Sequence, residues 1–264
     1  MLNVLADAAS QFLSYRGRWD EQVWISSWGY EAAQALHDLP NVASRAYAVF
    51  WIHYRRDRTN DAILWRDRFT EIWAGSDDKY KQANVKRMHA LLAKKDRQNY
   101  KEAELYLQEI LATYRDLGSD SGVAMVLNDL GNSCLSRSDY VAAEKYYLDA
   151  LELEQKIGDK QSQALYSSNL GSLFLCRKQW VEARQYFEQG LTLAREIEHI
   201  EVIASAQYGL ARVWEEEGRP DLALPLAQET LAIYERLQHG NLTKTRELVQ
   251  RLTTAVQKSA DKPQ

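Results

Sequence analysis

The side chains best suited to metal binding or acid–base chemistry are five histidines and two cysteines, and these are dispersed along the sequence. No HExxH or CxxC spacing occurs, so no metal site is predicted. His199 and His239 occupy equivalent sequence contexts. Such a pair could bind a ligand or respond to pH. However, each histidine comes at the end of a predicted helix, where interaction with the helix dipole is the simpler role.

Sequence motifs for nucleotide binding and hydrolysis are absent as well. Neither GxxxxGK[ST] nor GxGxxG occurs, and no serine sits in a glycine elbow with a placed histidine and acid. Glu152 and Glu154 are expected on exposed helix faces as ordinary surface carboxylates. Cys134 and Cys176 fall in apolar-periodic segments, which predicts that both are reduced and buried. The sequence therefore predicts a protein that is not an enzyme and carries no cofactor.

The elements that would position any functional residue are helices. The 264 residues are 45% hydrophobic and 27% charged, with a net charge of −4, and include only 12 Gly and 4 Pro. Few helix breakers and much Ala, Leu, Glu and Arg favour helix over strand. The longest apolar run, 46–52, is too short to span a membrane, and the N-terminus lacks the basic and apolar regions of a signal peptide. We therefore expect a cytoplasmic protein.

An internal repeat organises the sequence. Three segments beginning at Leu127, Ser167 and Gln207 align without gaps, each at the same offset from the one before. The aligned positions keep small residues where two helices would approach closely: Gly131, Gly171 and Ala211 in the first helix of each unit, and Ala143, Ala183 and Ala223 in the second. Between the helices, a turn at 137–139 is too short to do anything but reverse the chain.

The repeat extends towards the N-terminus with decreasing regularity. A copy at 81–120 keeps the same register, a copy at 41–80 aligns after a one-residue deletion near Asn60, and 1–40 is the most degenerate. We predict one domain over 1–257. Its parts are repeats at 1–40, 41–80, 81–120, 121–160, 161–200 and 201–240, a capping helix at 241–257 and a disordered tail at 258–264.

This pattern predicts an all-α fold. Apolar residues recur every three and four positions, so each helix has one buried face. A single hairpin cannot bury its outer apolar stripe, whereas a stack of hairpins can. The spacing of small and aromatic residues resembles tetratricopeptide repeats (TPRs) of the longer, 40-residue type. Such repeats occur in kinesin light chains, in bacterial peptide-sensing regulators and in the C-terminal arms of signalling ATPases of the STAND and NB-ARC kind. The resemblance implies a right-handed α-solenoid, and Lys94 and Gln22 depart from its pattern.

In proteins of this family, ligands usually lie in a groove lined by the first helices. The resemblance places at this groove Arg55, Lys95, Met125, Asn128, Asn132, Leu135, Ser168, Ser172, Tyr208 and Arg212. It also places there Arg45, Ala48, Ile52, Val85, Met88 and Leu92 from the earlier repeats, and Leu165, Leu175 and Glu215 from the later ones. Asn128 and Asn132 share a helix face, and their carboxamides can bond a peptide backbone whatever its side chains. The alternative is that both asparagines are merely tolerated on a polar helix face.

The leading hypothesis is a scaffold that binds a protein or peptide, as the sensor or interaction arm of a larger signalling protein with an adjacent ATPase domain. One alternative is a structural module that self-assembles by stacking through its terminal repeats. Charge is uneven, with 13 basic against 7 acidic residues in 41–100 and 11 against 18 in 121–240, which would suit head-to-tail association. A further alternative resembles repeat-containing phosphatases of response regulators. That reading needs a helical bundle ahead of the repeats, whereas here the repeats begin almost at residue 1. The negative net charge disfavours nucleic acid, and no membrane partner is expected.

Tryptophan is concentrated at one end. Six of the eight tryptophans lie in the stretch from Trp19 to Trp73. Most are expected in the core, because indole rings fill the gaps between helices. Their crowding also suggests that the N-terminal repeats meet another surface, in which case some of these rings would be exposed.

Overall fold

The computed structural model describes the backbone of residues 2–94 and 100–260 and the side chains of 8–94 and 101–259. This part of the chain is all α, with thirteen helices and no strand. The helices are α1 (Leu2–Tyr15), α2 (Trp19–Ala35), α3 (Leu39–Arg55), α4 (Thr59–Ile72), α5 (Lys79–Ala93), α6 (Tyr100–Asp116), α7 (Asp120–Ser136), α8 (Tyr140–Ile157), α9 (Lys160–Cys176), α10 (Trp180–Glu196), α11 (Ile200–Glu216), α12 (Pro220–Leu237) and α13 (Leu242–Ala260).

The helix starts follow the predicted period. From α7 onward, the first helices begin at Asp120, Lys160 and Ile200, at the constant spacing of the repeat, and the predicted turn at 137–139 separates α7 from α8. The degenerate first forty residues do contain two helices, α1 and α2. The C-terminal helix runs from Leu242 to Ala260 and so includes the start of the stretch expected to be disordered. Residues 261–264 lie outside the described part.

Each tight turn places one residue in the left-handed backbone region. Asp57, Ser138, Lys178 and Gly218 have φ between 60° and 72° and stand two residues before the next helix. The following backbone N–H then donates to a carbonyl five residues back, as Gln179 does to Phe174 at 2.9 Å. This bond satisfies a carbonyl that the ending helix leaves unpaired. Most of these turn residues are not glycine, so the left-handed turns are recognised from the backbone angles and not from glycine in the sequence.

The contacts divide the chain into two compact units, Met1–Arg137 and Ser138–Gln264. The boundary falls in the turn at 137–139, within the predicted fourth repeat. The N-terminal unit has its core around Phe50, with Val42, Ala46, Trp65 and Phe69 packed about it. A core of this kind holds α3, α4 and α5 together. The continuous domain over 1–257 stays a prediction.

The C-terminal unit shows why small residues recur. Gly171 and Gly209 both face the ring of Phe187, and a Cβ atom at those positions would lie 2.8 and 2.1 Å from ring carbons. The predicted small residues Ala183 and Ala223 are fully buried. Leu248 and Leu252 of α13 pack against Ala223 and Ala227 of α12. The last helix therefore covers an apolar face that α12 would otherwise expose.

Candidate functional site

In each unit, several first helices lie beside one another. In the C-terminal unit, α11 contacts both α9 and α13. In the N-terminal unit, Arg87 of α5 reaches Asp129 of α7 and Tyr47 of α3. The outward side of this layer is called the first-helix face of each unit below, and it is the predicted ligand surface.

A buried ion pair lies directly beneath the first-helix face of the N-terminal unit. The Nε of Arg87 donates to Asp129 Oδ2 at 2.6 Å, and its Nη1 donates to the hydroxyl of Tyr47 at 3.2 Å. The guanidinium carbon lies 5.1 Å from the centre of the Trp51 ring. Both charged side chains are almost completely buried. One arginine thus joins three first helices by an ion pair with Asp129, a hydrogen bond to the Tyr47 hydroxyl and a cation–π contact with Trp51.

The burial of this cluster shifts the pKa of its neighbours. Burial raises the pKa of Tyr54 to about 12, with the carboxylate of Asp129 adding to the rise and Arg87 opposing it. Burial lowers the pKa of Lys94 to about 8, while Asp129 and Cys134 act in the opposite direction. Ionisable side chains thus lie close together inside this unit.

Aromatic residues line the exposed side of α3 in the N-terminal unit. Tyr47 and Trp51 are half-buried, and their ring centres lie 6.0 Å apart in an edge-on arrangement. Arg55, one helical turn further, places its guanidinium 5.7 Å from the Trp51 ring. Stacked arginine and indole surfaces present an apolar plane together with a positive charge. This combination suits a peptide with an aromatic or acidic side chain.

The C-terminal unit repeats this pairing of an aromatic residue with an arginine. Tyr208 and Arg212 of α11 are half-buried one turn apart, with the guanidinium 5.9 Å from the ring centre. Burial raises the pKa of Tyr208, which the neighbouring Arg212 and Arg251 partly offset. Arg251 of α13 donates through Nε and Nη2 to the two oxygens of Glu215 at 2.9 and 3.1 Å. This bidentate pair fixes α13 beside the face.

The predicted site residues fall into two groups, one in each unit. Arg55, Met125, Asn132 and Leu135 are half-buried in the N-terminal unit, as are Ser172, Tyr208 and Arg212 in the C-terminal unit. Lys95 lies outside the described residues. Whether the accessible members bind a ligand stays a prediction.

Two predicted contacts are less accessible than expected. Asn128 is only 6% exposed, although it lies one helical turn from the half-buried Asn132 on α7. Ser168 is buried, and its hydroxyl donates to the carbonyl of Ala164 at 2.9 Å. A Cβ atom at Gly190 would lie 2.6 Å from that hydroxyl, so Ser168 is a packing residue between α9 and α10. The predicted asparagine pair is thus reduced to Asn132 at the surface.

Two residues of α3 that were expected at the ligand groove, Arg45 and Ile52, do not lie at the surface. Arg45 and Ile52 are buried, whereas Tyr47 and Trp51 are partly exposed residues of this helix. A shift of one residue turns a side chain by about 100° around a helix. Counted from the helix starts, Trp51 rather than Ile52 corresponds to Asn132. The starts of α3 at Leu39 and α5 at Lys79 precede Asp120 by 81 and 41 residues, so the one-residue shift lies after α5 and not near Asn60 as predicted.

Further first-helix residues are also less accessible than expected. In α5, the expected Val85, Met88 and Leu92 join the apolar core. In α9, Leu175 is likewise buried, whereas Leu165 is exposed. Four of these five positions therefore contribute to packing between helices and not to a ligand surface.

Other sequence expectations are also corrected. Cys176 is exposed because it ends α9 on its outward stripe, while Cys134 is buried as expected. Glu154, expected on an exposed face, is 1% exposed. His199 precedes the first turn of α11 and is buried, and His239 stacks on Tyr234 at 4.2 Å. Both histidines therefore pack against protein rather than lying open at a helix end.

The N-terminal tryptophans divide between core and surface. Trp19 and Trp65 are buried, Trp51 and Trp73 are half-buried, and Trp24 and Trp28 are exposed. Within the described ranges, no helix is long and apolar enough to cross a membrane. The same ranges hold no cluster of three histidine, cysteine or acidic residues placed to bind a metal ion.

These features define a helical-repeat protein with a layered first-helix face. Residues 82–156, 122–196 and 161–236 each match the tetratricopeptide repeat family. Together these stretches cover more than half of the chain, so the chain belongs to the tetratricopeptide-repeat family. Comparison with curated proteins gives no match.

Solved structures show the same fold at low sequence identity. A Rap protein complexed with competence and sporulation factor is 14% identical with a TM-score of 0.67, covering 96% of this chain and 74% of that one. The Rap conjugation gene regulator of plasmid pLS20, complexed with the Phr* peptide, is 17% identical with a TM-score of 0.64, covering 95% and 72%. A STAND protein with a TPR sensor from Pyrococcus horikoshii is 16% identical with a TM-score of 0.55, covering 95% and 41%.

Proposed function

We propose that this chain is a non-enzymatic scaffold that binds a peptide or an extended protein segment on its first-helix faces. The observation that carries the proposal is the pairing of a half-buried aromatic ring with an arginine one turn later. Trp51 and Arg55 form this pair in one unit, and Tyr208 and Arg212 form it in the other. Ring and guanidinium are the side-chain types most enriched where binding energy is concentrated.

Hydrogen bonds and ion pairs already hold the side chains at this surface in place, so a ligand can bind without rearranging them. Arg87 is fixed by Asp129, by Tyr47 and by the ring of Trp51, and Arg251 is fixed by Glu215. A binding surface whose side chains are already ordered loses less conformational entropy when a ligand binds. Two of the similar structures contain a bound factor or peptide, and a third carries its repeats as a sensor. A role as the sensor or interaction arm of a larger regulator is consistent with these likenesses.

The proposal is tested by selecting ligands from a displayed library of random peptides. Selected peptides are then measured by fluorescence anisotropy against the wild-type chain and against Trp51→Ala, Asn132→Ala, Tyr208→Ala and Arg212→Ala. Loss of an anchor residue in a binding site weakens binding by about tenfold or more. We expect at least one variant to show this loss for peptides selected on the wild type.

The matched control is Val141→Ala, because Val141 is 80% exposed and lies on a second helix, α8. Circular dichroism of each variant checks that the helices are retained. If no peptide is selected, or if the selected peptides bind all four variants as tightly as the control, the first-helix faces are not the binding site.

A further inference from the structure

A buried carboxylate lies beneath the aromatic side chains of the first-helix face in the N-terminal unit. Asp129 of α7 is 5% exposed and accepts from the Nε of Arg87 at 2.6 Å. The same guanidinium donates to the hydroxyl of Tyr47 at 3.2 Å and lies 5.1 Å from the centre of the Trp51 ring. One guanidinium therefore stands between the carboxylate and both rings.

Arg87 occupies a position of the repeat that belongs to the ligand face in other copies. Counted from the helix start, it is the ninth residue of α5, as Tyr47 is of α3 and Tyr208 is of α11. Both tyrosines are half-buried, whereas Arg87 is only 6% exposed. Arg87 therefore acts on the face through its charge from below and not through direct contact with a ligand.

The charge of Asp129 also acts on side chains of two neighbouring helices. Burial raises the pKa of Tyr54 on α3 to about 12, and the carboxylate adds to that rise. Burial lowers the pKa of Lys94 at the end of α5 to about 8, and the carboxylate opposes that fall. The carboxylate thus interacts with two cations, Arg87 and Lys94, and its field reaches the helix that carries the exposed rings.

We propose that Asp129 determines the charge specificity of the ligand surface formed by Tyr47 and Trp51, although it does not touch the ligand. This inference rests on the proposed function. The negative charge of Asp129 offsets the positive potential that Arg87 and Lys94 produce at the two rings. It thereby limits the preference of this surface for an acidic side chain of the ligand.

The distances make this effect large enough to measure. A ligand atom in van der Waals contact with the Trp51 ring lies about 4 Å from it, and so roughly 9 Å from the Arg87 guanidinium. At an effective dielectric constant of about 20, one unit charge at this distance changes the discrimination between an acidic and a neutral side chain by about tenfold. Loss of Asp129 and loss of Arg87 should change it in opposite directions.

The test uses peptides selected on the wild-type chain whose binding is lost in Trp51→Ala and retained in Tyr208→Ala. Each peptide is made in pairs that differ only by Glu or Gln at one position, and that position is moved along the peptide. Fluorescence anisotropy gives the ratio of the two dissociation constants for each pair. At the most sensitive position, Asp129→Asn should shift the ratio about tenfold in favour of Glu.

Arg87→Gln should shift the same ratio in favour of Gln, and the double variant should return it to near the wild-type value. Circular dichroism checks that each variant is folded. A partly unfolded chain binds both members of a peptide pair more weakly, so misfolding cannot produce shifts of opposite sign in the two single variants.

The matched control is Glu104→Gln on α6 of the same unit. It removes the carboxylate of an ion pair with Arg137 and changes the net charge by the same amount as Asp129→Asn, so the ratio should stay as in the wild type. If no selected peptide depends on Trp51, the ligand surface itself is wrong and this proposal falls with it. If peptides depend on Trp51 but Asp129→Asn and Arg87→Gln leave the ratio unchanged, only the role of Asp129 is wrong.

Discussion

Arg87 and Asp129 form an ion pair of 2.6 Å between the third and fourth first helices, and both side chains are almost completely removed from water. Their separation in sequence is 42 residues. The pair lies under the aromatic side chains of α3, so it supports the first-helix face of the N-terminal unit and not just its core. Removing either partner leaves the other charge buried without its counterion.

The first prediction concerns this ion pair. Asp129→Ala should lower the free energy of unfolding by about 3–5 kcal/mol, because the Arg87 charge loses its partner in a site of low polarity. The double variant Arg87→Met with Asp129→Leu should be more stable than Asp129→Ala, since it buries no charge. Urea denaturation followed by circular dichroism measures both. The control is Glu152→Ala, which breaks an exposed pair with Lys156 and should cost less than about 1 kcal/mol.

This prediction would be wrong if Asp129→Ala and Glu152→Ala had similar effects. Equal losses would mean that water reaches the Arg87 guanidinium as freely as it reaches Lys156.

A second prediction follows from an ion pair that recurs with its charges exchanged. Arg177 pairs with Glu144, and at the equivalent positions of the next repeat Glu217 pairs with Arg184. Glu217→Arg alone should destabilise the chain by up to about 1 kcal/mol, because it places two guanidiniums together at a half-buried site. Adding Arg184→Glu should recover most of that loss. A double-mutant cycle in urea gives the coupling energy, which should fall as salt is added.

An absence of coupling in that cycle would show that the arginine and the glutamate contribute separately. The exchanged charges would then be incidental to the packing of the repeats.

The repeat alone predicted much of the fold. Its constant offset placed the turn at 137–139, and the small residues Ala143, Ala183 and Ala223 are fully buried. The same offset also contained a signal that was overlooked. It aligns Glu154 with Tyr114, Ala194 and Tyr234, all of them buried, so burial of this carboxylate could have been predicted.

The candidate site was less predictable. The alignment of α3 with the later repeats depended on where one deletion was placed. A shift of one residue in that alignment places Trp51 instead of Ile52 at the surface. The link from Arg87 to Asp129 and Tyr47 depends on how three helices lie in space. A repeat period specifies equivalent positions, but it does not specify which side chains of neighbouring copies meet. Such pairs become visible only when the coordinates are known.

A third prediction concerns the contact of Gly209 with Phe187. A Cβ atom at Gly209 would lie 2.1 Å from the ring, closer than any normal contact. Gly209→Ala should therefore lower the free energy of unfolding by about 1–3 kcal/mol, as expected for overpacking. Phe187→Leu in the same chain should reduce this penalty by making space for the methyl group. Thermal and urea unfolding of the two single variants and the double variant measure the interaction.

The control is Gln189→Ala on the exposed side of the same helix, α10, which should have little effect. Purely additive losses from Gly209→Ala and Phe187→Leu would contradict the proposed steric conflict.

The fourth prediction is a pH dependence that arises from Glu154. Its side chain is buried, and its Oε2 has no hydrogen-bond partner among the described residues. Burial, with a smaller effect from Asp159, raises the pKa of Glu154 to about 7 from an ordinary value of 4.5. The folded chain therefore holds a proton between these values that the unfolded chain releases. The stabilising contribution is complete below pH 4.5 and is lost as the pH rises through about 7.

Glu154→Gln removes this dependence, because the amide stays neutral. The variant should gain stability relative to the wild type as the pH rises from 4.5 to 7, by up to about 3 kcal/mol for a shift of this size. Glu152→Gln on the same helix is the matched control. Lys156 lowers the pKa of Glu152, so the wild-type side chain stabilises above its ordinary pKa and that contribution is lost as the pH falls. Urea unfolding at several pH values should therefore give differences of opposite sign for the two variants. A Glu154→Gln difference that does not change with pH would mean that Glu154 is hydrated and ionised like a surface carboxylate.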